Sequence, residues 1–542
     1  MQSLHYKQTR FFFVLFIFII LYCFVLVNLY VLQIKQFSFF KNLGEKQYNI
    51  TMQVLPARAL LYDRNNIPVA LNKDSVAAFI LPKALIAKND LLQFLKEKFP
   101  AAFERFEQYQ NKSFMYVKRN LSDNEIESIH QSGLVDVHLL KESNRYYPYE
   151  SLATVVGITD IDNQGLMGIE LQCNKRLQGS PTTYQLKKDA KSHHFYFGKE
   201  TKQQGQDGIP LTLSIDAILQ FKMQTILQDA VQEYGSIEAG AIAINPTNGE
   251  ILTLVSVPTF NPNNVKDLDL QMTKCRPVMN CFESGSVIKA FCALAALQEG
   301  VVTLDEMIDC ENTKETKLDN LRIRTVYPDG IISFLEVMQR SNNIGIVKVM
   351  KRIGTDLYDY YKLLGFGEMT GLNFPGEQKG FVNHPDNWSA WSIQSLSYGY
   401  EMTTSLLQLA RAMSLIVNGG YLITPTLIKD QKTKKTGPLI SQKTLDDMKI
   451  LLQSVIDQGS GARAQIPGYI VYGKTGTANI LIDGVYDEDR HLYTFVGAVE
   501  KNNYLRVVCC YLKDSKRATY ASMITAPVFK KLAEAMIMHD MM

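Results

Sequence analysis

Phe282-Glu283-Ser284-Gly285-Ser286-Val287-Ile288-Lys289 opens an apolar stretch that runs on through Phe291, Leu294 and Leu297 to Gln298, with Gly300 just past its end. The spacing predicts a helix over about Gly285 to Gln298, stopped by the glycine. Ser286 and Lys289 are three residues apart and so share one face of its first turn. A lysine in so apolar a helix costs stability unless it has a partner or a task. The pair offers a serine hydroxyl, an amine able to take its proton, and a helix N-terminus that favours developing negative charge. By itself S-x-x-K is a weak signal, equally compatible with a core helix whose lysine snorkels to water.

Two further motifs follow. Gln339-Arg340-Ser341-Asn342-Asn343 supplies S-x-N 55 residues on, at a turn between two predicted helices, and Gly473-Lys474-Thr475-Gly476-Thr477-Ala478 supplies K-T-G-T 188 residues after Ser286. The second is expected at the end of a strand over Tyr469 to Tyr472. Each triplet is common. In this order they bring serine, lysine and amide groups to one cleft wall, as acyl transfer requires. The set resembles the penicillin-binding proteins and serine β-lactamases, whose S-x-x-K, S-D-N-type and K-T-G signatures run in the same sequence.

The resemblance reaches beyond the triad. Arg58-Ala59-Leu60-Leu61-Tyr62-Asp63-Arg64 is similar to the start of the pedestal domain in class B penicillin-binding proteins, and Gly165-Leu166-Met167-Gly168-Ile169-Glu170, with Leu177 and Gly179, to its next motif. Gly365-Phe366-Gly367, Thr370-Gly371 and Phe374-Pro375-Gly376-Glu377 look like the stretch between the second and third catalytic motifs, and Ala526-Pro527-Val528-Phe529 like the start of the closing helix. Ser397-Tyr398-Gly399-Tyr400, followed by Gln408-Leu409-Ala410, resembles the division-specific members more than the elongation ones. Two positions depart from the pattern. Ser284 stands where proline is usual, which should loosen the start of the helix without moving the nucleophile, and Ala59 stands where glycine is usual.

The resemblance implies an α+β protein: a cytoplasmic head (1–10), a transmembrane anchor (11–32), an elongated pedestal of the dimerisation type (33–210), and a transpeptidase domain (211–542) built as an antiparallel sheet flanked by helices. No glycosyltransferase domain is recognisable. It also implies roles. Ser286 would attack the penultimate D-alanine of a peptidoglycan stem, with Lys289 taking its proton. Ser341 would pass a proton to the leaving amine, and Asn343 would hold the substrate amide. Lys474, Thr475, Gly476 and Thr477 would bind the terminal carboxylate region, and backbone N–H groups of Ser286 and Thr477 would form the oxyanion hole. The implied product is a stem cross-link in septal wall synthesis, with β-lactams trapped as acyl-enzymes. Implied partners are D-Ala-D-Ala stems, β-lactams, and a polytopic glycosyltransferase and other division proteins reached through the span and the pedestal. No cofactor, metal or nucleic acid is implied. A D,D-carboxypeptidase, a β-lactam-hydrolysing or -sensing protein and a non-catalytic division scaffold remain open.

Composition agrees with a globular ectodomain. The 542 residues are 46% hydrophobic and 20% charged, and 57 Lys+Arg against 54 Asp+Glu leave +3, too even for a protein that coats nucleic acid. A mean hydropathy of -0.08 excludes a polytopic membrane protein. Phe11 to Leu32 is nevertheless a charge-free run of 22 residues, and about 20 span a bilayer core. It is longer than a signal-peptide core and lacks a small-residue cleavage site after it. An uncleaved single anchor is expected, in the inner membrane with the catalytic domain outside. Charges flanking the run, Lys7 and Arg10 before and Lys35, Lys41 and Lys46 after, do not orient it.

The eight cysteines contain no C-x-x-C, and no histidine lies at zinc-finger spacing behind them. Cys509 and Cys510 are adjacent in a predicted strand and so face opposite sides. Gly468 to Thr475 satisfies the G-x-x-x-x-G-K-T pattern of a phosphate loop, but Tyr469-Ile470-Val471-Tyr472 are strand formers and no helical period follows. Glu368-Met369-Thr370-Gly371-Leu372-Asn373 has one residue more than the E-x-x-L-N segment with which class A β-lactamases activate water. Glu368 is therefore not expected to reach an acyl ester.

Overall fold

The computed structural model describes residues 2–54, 56–112, 114–188, 195–266, 268–318, 321–518 and 520–541. Positions 189–194 of the Lys-rich stretch near 185–202, and the terminal residues 1 and 542 of the first and last expected segments, lie outside the described residues. The charge-free run lies inside a helix over Gln2–Tyr30 that continues as a π-helical turn over Val31–Lys35. Its stretch Arg10–Lys35, 26 residues at a mean hydropathy of 2.9, is long and apolar enough to cross a membrane. Phe18 and Phe24 stand 65% and 69% exposed on it, a surface that suits lipid and not water.

The chain falls into two compact units. The first comprises Met1–Ala57, Ser75–Glu142 and Gly179–Gly208; the second comprises Arg58–Asp74, Ser143–Gln178 and Ile209–Met542. The boundary expected near residue 210 follows chain order, whereas compactness places two earlier segments with the C-terminal part. Hydrogen bonds tie these segments to the C-terminal part, Ala217 N–H donating to Asp63 Oδ2 and Gln220 Nε2 to the Ser151 carbonyl, and a buried ion network ties them to each other. Arg58 Nε meets Glu170 Oε2 at 2.6 Å, and Arg145 Nε meets Glu170 Oε1 at 2.7 Å. Arg58 also donates to Asn174 Oδ1 and to the Asn163 and Glu170 carbonyls. A buried carboxylate is tolerated only when paired this fully.

In the first unit, Asn49–Val54, Thr182–Lys188 and Phe195–Gln203 form an antiparallel sheet. Helices Lys88–Lys98, Pro100–Tyr109 and Asp123–Ser132 bury Leu91, Leu95, Phe106 and Ile129 with Ile80, Met115 and Val117. Ser122 and Glu125 close a capping box on the third helix. The Gln/Gly run at 203–208 is tied to Ser180: Gln206 N–H donates to Ser180 Oγ, and Ser180 N–H to the Gln206 carbonyl.

The second unit is organised by a five-stranded antiparallel sheet of β1 (Glu238–Ile244), β2 (Ile251–Val257), β3 (Ile470–Ile482), β4 (Val485–Lys501) and β5 (Tyr504–Lys513), in the order β2-β1-β5-β4-β3. Among the helices of this unit are those labelled α1 (Ala217–Tyr234), α2 (Lys289–Gln298), α3 (Phe334–Arg340), α4 (Asn343–Ile353), α5 (Leu406–Val417) and α6 (Ala521–Asp540). Side chains alternate along each strand. Ala241, Ala243 and Cys510 face a core built with Leu227 of α1 and Phe529 of α6, while Ile242, Ile244 and Cys509 face one built with Phe291 of α2 and Leu409 of α5. The two adjacent cysteines thus point to opposite faces, as their positions in a strand require.

α1 is capped at both ends. Asp216 caps it by accepting the N–H groups of Ile218 and Leu219, and Gly235 closes it in the left-handed conformation. β1 and β2 pair as a hairpin.

Candidate active site

Ser286 sits in a 3₁₀ turn, Gly285–Ile288, that precedes α2. The expected helix over Gly285 to Gln298 is present, but its first turn is tighter than α. In a 3₁₀ turn residues i and i+3 eclipse, so Lys289 lies directly behind Ser286. Ser284 at the N-cap makes no side-chain capping bond, and its hydroxyl is buried without a partner. The start of the helix is held by close packing against β3. A Cβ on Gly476 would stand 2.4 Å from the Ser284 carbonyl oxygen, and one on Gly285 (φ +57°) 2.4 Å from the Thr477 carbonyl oxygen. Only glycine at both positions lets the nucleophile turn and the K-T-G-T strand approach this closely.

The K-T-G-T residues lie in the interior of β3 and not at a strand end as expected: Lys474 pairs with Val496, Thr475 with Phe495, Gly476 with Thr494 and Thr477 with Tyr493. β3 is an edge strand, so one side of it is open to pair with an extended ligand. Its continuation to Ile482 also removes the phosphate-loop reading, since no helix N-terminus follows Lys474.

Ser341 and Asn343 reach the same place from the junction of α3 and α4. Ser341 is the C-cap of α3 in the left-handed region (φ 57°, ψ 40°), and Asn342 caps α4 by accepting the Gly345 N–H. A non-glycine residue held so costs on the order of 1 kcal/mol. The conformation aims both oxygens of Ser341 at Lys289: its Nζ donates to the Ser341 carbonyl at 2.7 Å, to Ser341 Oγ at 3.2 Å and to Asn343 Oδ1 at 2.5 Å. Asn343 Nδ2 donates in turn to the Arg324 carbonyl at 2.6 Å. Asn343 is thus hydrogen-bonded to Lys289 on one side and to the Arg324 carbonyl on the other.

Two buried lysines share the site. Lys289 is 0% and Lys474 1% exposed. Burial, and then the positive charge of Lys474, hold the Lys289 amine well below the ordinary lysine value. Burial brings Lys474 down to about 7. This makes a prediction for stability. Below that value the native state carries the full cost of the buried charge. Above it the native amine is neutral while the unfolded one stays charged up to about 10.4, so the cost fades as pH rises. Lys474→Met should therefore raise the melting temperature most near pH 6, with the gain shrinking towards about pH 9. A gain that grows with pH would contradict the assignment.

Three further groups at the site carry no motif of their own. Thr475 Oγ1 donates to Ser460 Oγ at 3.1 Å, and Ser460 N–H donates to the Gln339 carbonyl, just before S-x-N. Thr477 Oγ1 accepts the Ala521 N–H, the first residue of α6, at 3.1 Å. The Arg324 carbonyl that holds Asn343 belongs to a hairpin of Glu315–Leu318 with Leu321–Arg324. All come from distant parts of the sequence, and none stands at a spacing that would mark it. Glu368, by contrast, pairs with Lys362 at 2.9 Å with its side chain 56% exposed. Among the described residues no cluster of His, Cys, Asp or Glu could hold a metal ion.

Comparison with known proteins agrees with this geometry. The family model for the penicillin-binding protein transpeptidase domain matches residues 239–534, and that for the penicillin-binding protein dimerisation domain matches residues 53–213. The chain is 30% identical over 522 residues to the probable peptidoglycan D,D-transpeptidase PenA of Neisseria gonorrhoeae, covering 94% of this chain and 89% of that one. It is 28% identical over 536 residues to the probable peptidoglycan D,D-transpeptidase PbpC of Pseudomonas aeruginosa, covering 97% and 94%. Among solved structures, a peptidoglycan synthetase from Bifidobacterium adolescentis shares the fold at a TM-score of 0.72 and 20% identity, over 91% of this chain and 97% of that one. A dimerisation domain followed by a transpeptidase domain, with S-x-x-K, S-x-N and K-T-G-T gathered around two buried lysines, makes this chain a transpeptidase of the class B penicillin-binding protein family.

Proposed function

We propose that this chain is a membrane-anchored serine D,D-transpeptidase that cross-links peptidoglycan stems through an acyl-enzyme on Ser286. The observation that carries the reading is the setting of Lys289. A neutral amine has two hydrogens and one lone pair. The Ser341 carbonyl and Asn343 Oδ1 only accept, so they take the two hydrogens. The lone pair is left for a hydroxyl proton: Ser341 Oγ lies at 3.2 Å, and Ser286, one turn earlier in the chain, would supply its own on attack.

In the first step Ser286 Oγ attacks the carbonyl of the penultimate D-alanine and its proton passes to Lys289. The oxyanion is met by backbone N–H groups of Ser286 and Thr477. The intermediate collapses as the C–N bond breaks, and the terminal D-alanine leaves as an amine, taking a proton by way of Ser341. Its carboxylate is held by Lys474 with the hydroxyls of Thr475 and Thr477, where Gly476 lets the strand approach. An amine of a second stem then attacks the ester, Lys289 takes the amine's proton and returns it to Ser286 Oγ as the ester C–O bond breaks, and the free enzyme is restored. A β-lactam acylates Ser286 in the same way, but its leaving group stays tethered. Glu368, paired with Lys362, is not available to activate water, which favours a long-lived adduct over hydrolysis.

The apolar helix Arg10–Lys35 supports a single-pass anchor in the bacterial inner membrane, with the head at 1–10 cytoplasmic, the pedestal (33–210) and catalytic domain (211–542) outside, and division proteins, among them a polytopic glycosyltransferase, as partners. The Ser397-Tyr398-Gly399-Tyr400 and Gln408-Leu409-Ala410 segments favour a septal role. One experiment tests the whole reading. Cells expressing the chain are labelled with a fluorescent penicillin, imaged, and fractionated, and the adduct is followed by intact-protein mass spectrometry. The label should sit at the division site and in the membrane pellet, map to Ser286, and persist far beyond one catalytic cycle. Turnover within seconds would make the protein a hydrolase, and label spread evenly over the side wall would remove the septal assignment.

A further inference from the structure

The hairpin that carries Lys474 to Thr477 runs on past the site, as β3 to Ile482 and back from Val485 as β4. Its pairing is regular as far as Asn479 with His491, then jumps to Ile480 with Asp487, so that Glu488, Asp489 and Arg490 bulge from the returning strand. A bulge bends its strand and re-aims what lies beyond it. Beyond it lies Tyr486, whose hydroxyl donates to Glu283 Oε1 at 2.9 Å. Glu283 is three residues before Ser286.

The same carboxylate oxygen accepts the backbone N–H of Glu401 at 3.1 Å. Glu401 is itself fixed, because its Oε2 accepts Asn383 Nδ2 and the Ser392 hydroxyl, each at 2.7 Å. Tyr400 packs edge-on against Tyr486 with ring centroids 5.0 Å apart. Its hydroxyl accepts the N–H of Asn479, two residues past Thr477, at 3.3 Å. The tip has little core to hold it otherwise: Leu481 is 53% and Val485 70% exposed. A segment with so few buried contacts opens easily unless something tethers it.

We propose that Glu283 is a positioning residue for acyl transfer: through Tyr486 and the Glu401 amide it clasps the hairpin tip to the segment leading into Ser286, and so holds the Thr477–Asn479 edge of β3 in place beside the nucleophile. The inference rests on the reading of Ser286 as the acylated serine. A substrate that lies along this edge meets a strand already set, and ordering it no longer counts against the barrier. The acyl-transfer steps themselves make no use of the Glu283 carboxylate, so its effect falls on rate and not on the chemistry available.

Tyr486→Phe should slow penicillin acylation roughly fivefold, the worth of one hydrogen bond, and Glu283→Ala, which removes two, at least as much. The final yield of one label per chain and the melting temperature should be unchanged. Glu283→Gln, whose amide oxygen accepts the same two donors, should acylate near the parental rate. The double variant Glu283→Ala/Tyr486→Phe should be no slower than Glu283→Ala alone, because both changes break one clasp. Parental rates in both single variants, additive losses in the double variant, or a Gln variant as slow as the Ala variant would each overturn the clasp. A parent chain that takes up no label would overturn the acyl-serine reading instead.

Discussion

Ser286→Ala should abolish covalent labelling by penicillin and leave the melting temperature of the chain nearly unchanged. Ser286 is half-buried in the 3₁₀ turn, and removing one hydroxyl there leaves no cavity of consequence and no buried partner stranded. The packing that holds the turn is backbone on backbone, between Ser284 and Gly476 and between Gly285 and Thr477, and the substitution does not touch it. Ser38 and Lys41 repeat the spacing in the first turn of the helix Phe37–Tyr48, but both are exposed and lack the enclosed setting of Ser286 and Lys289, so no residual slow acylation is expected. The check is intact-protein mass spectrometry after prolonged exposure to penicillin, beside a thermal melt. A penicilloyl mass on the variant would move the nucleophile elsewhere.

Lys289→Met should slow acylation by about 10²–10⁴-fold, the usual contribution of a positioned general base. Methionine keeps the length and apolar packing of the side chain in a core where Phe291, Leu294 and Leu297 surround it in sequence. It leaves the Ser341 carbonyl and Asn343 Oδ1 without their donor, so some loss of stability accompanies the loss of rate. The pH profile of the parent also reports on the base. The amine works only when neutral, and burial together with Lys474 lowers its pKa, so the rate should rise with pH and level off well below the ordinary lysine value of about 10.4. Acylation of the Met variant within threefold of the parent would exclude Lys289 as the base.

Much of this was legible in the chain itself. The order and spacing of S-x-x-K, S-x-N and K-T-G-T and the charge-free run at the N-terminus are local patterns. Local patterns follow from side-chain periodicity, capping and turn chemistry within a few residues. They suffice to name the family and the elements on which Ser286, Lys289, Ser341, Asn343, Lys474, Thr475, Gly476 and Thr477 lie. They suffice also to dismiss a phosphate loop at Gly468–Thr475, whose four central residues are strand formers.

What only the tertiary structure decided depends on contacts between residues far apart in sequence. The first turn of the nucleophile helix is 3₁₀ because β3 presses on Ser284 and Gly285, and no local preference at those positions specifies that. K-T-G-T lies inside a strand and not at its end because β4 continues to pair with it through Tyr493. Asn343 turns to Lys289 and the Arg324 carbonyl, and Ser460 meets Thr475, from segments with no motif at fixed spacing. Arg58–Asp74 and Ser143–Gln178 join the catalytic unit through contacts such as Asp63 with the Ala217 N–H and Ser151 with Gln220, and are tied to each other because the buried Glu170 carboxylate must be paired. The sequence by itself determined which chemical groups this protein brings to its site and on which elements they ride. Their protonation states and mutual orientation were decided by burial, because the same lysine is a cation in water and a base only where the fold removes the water around it.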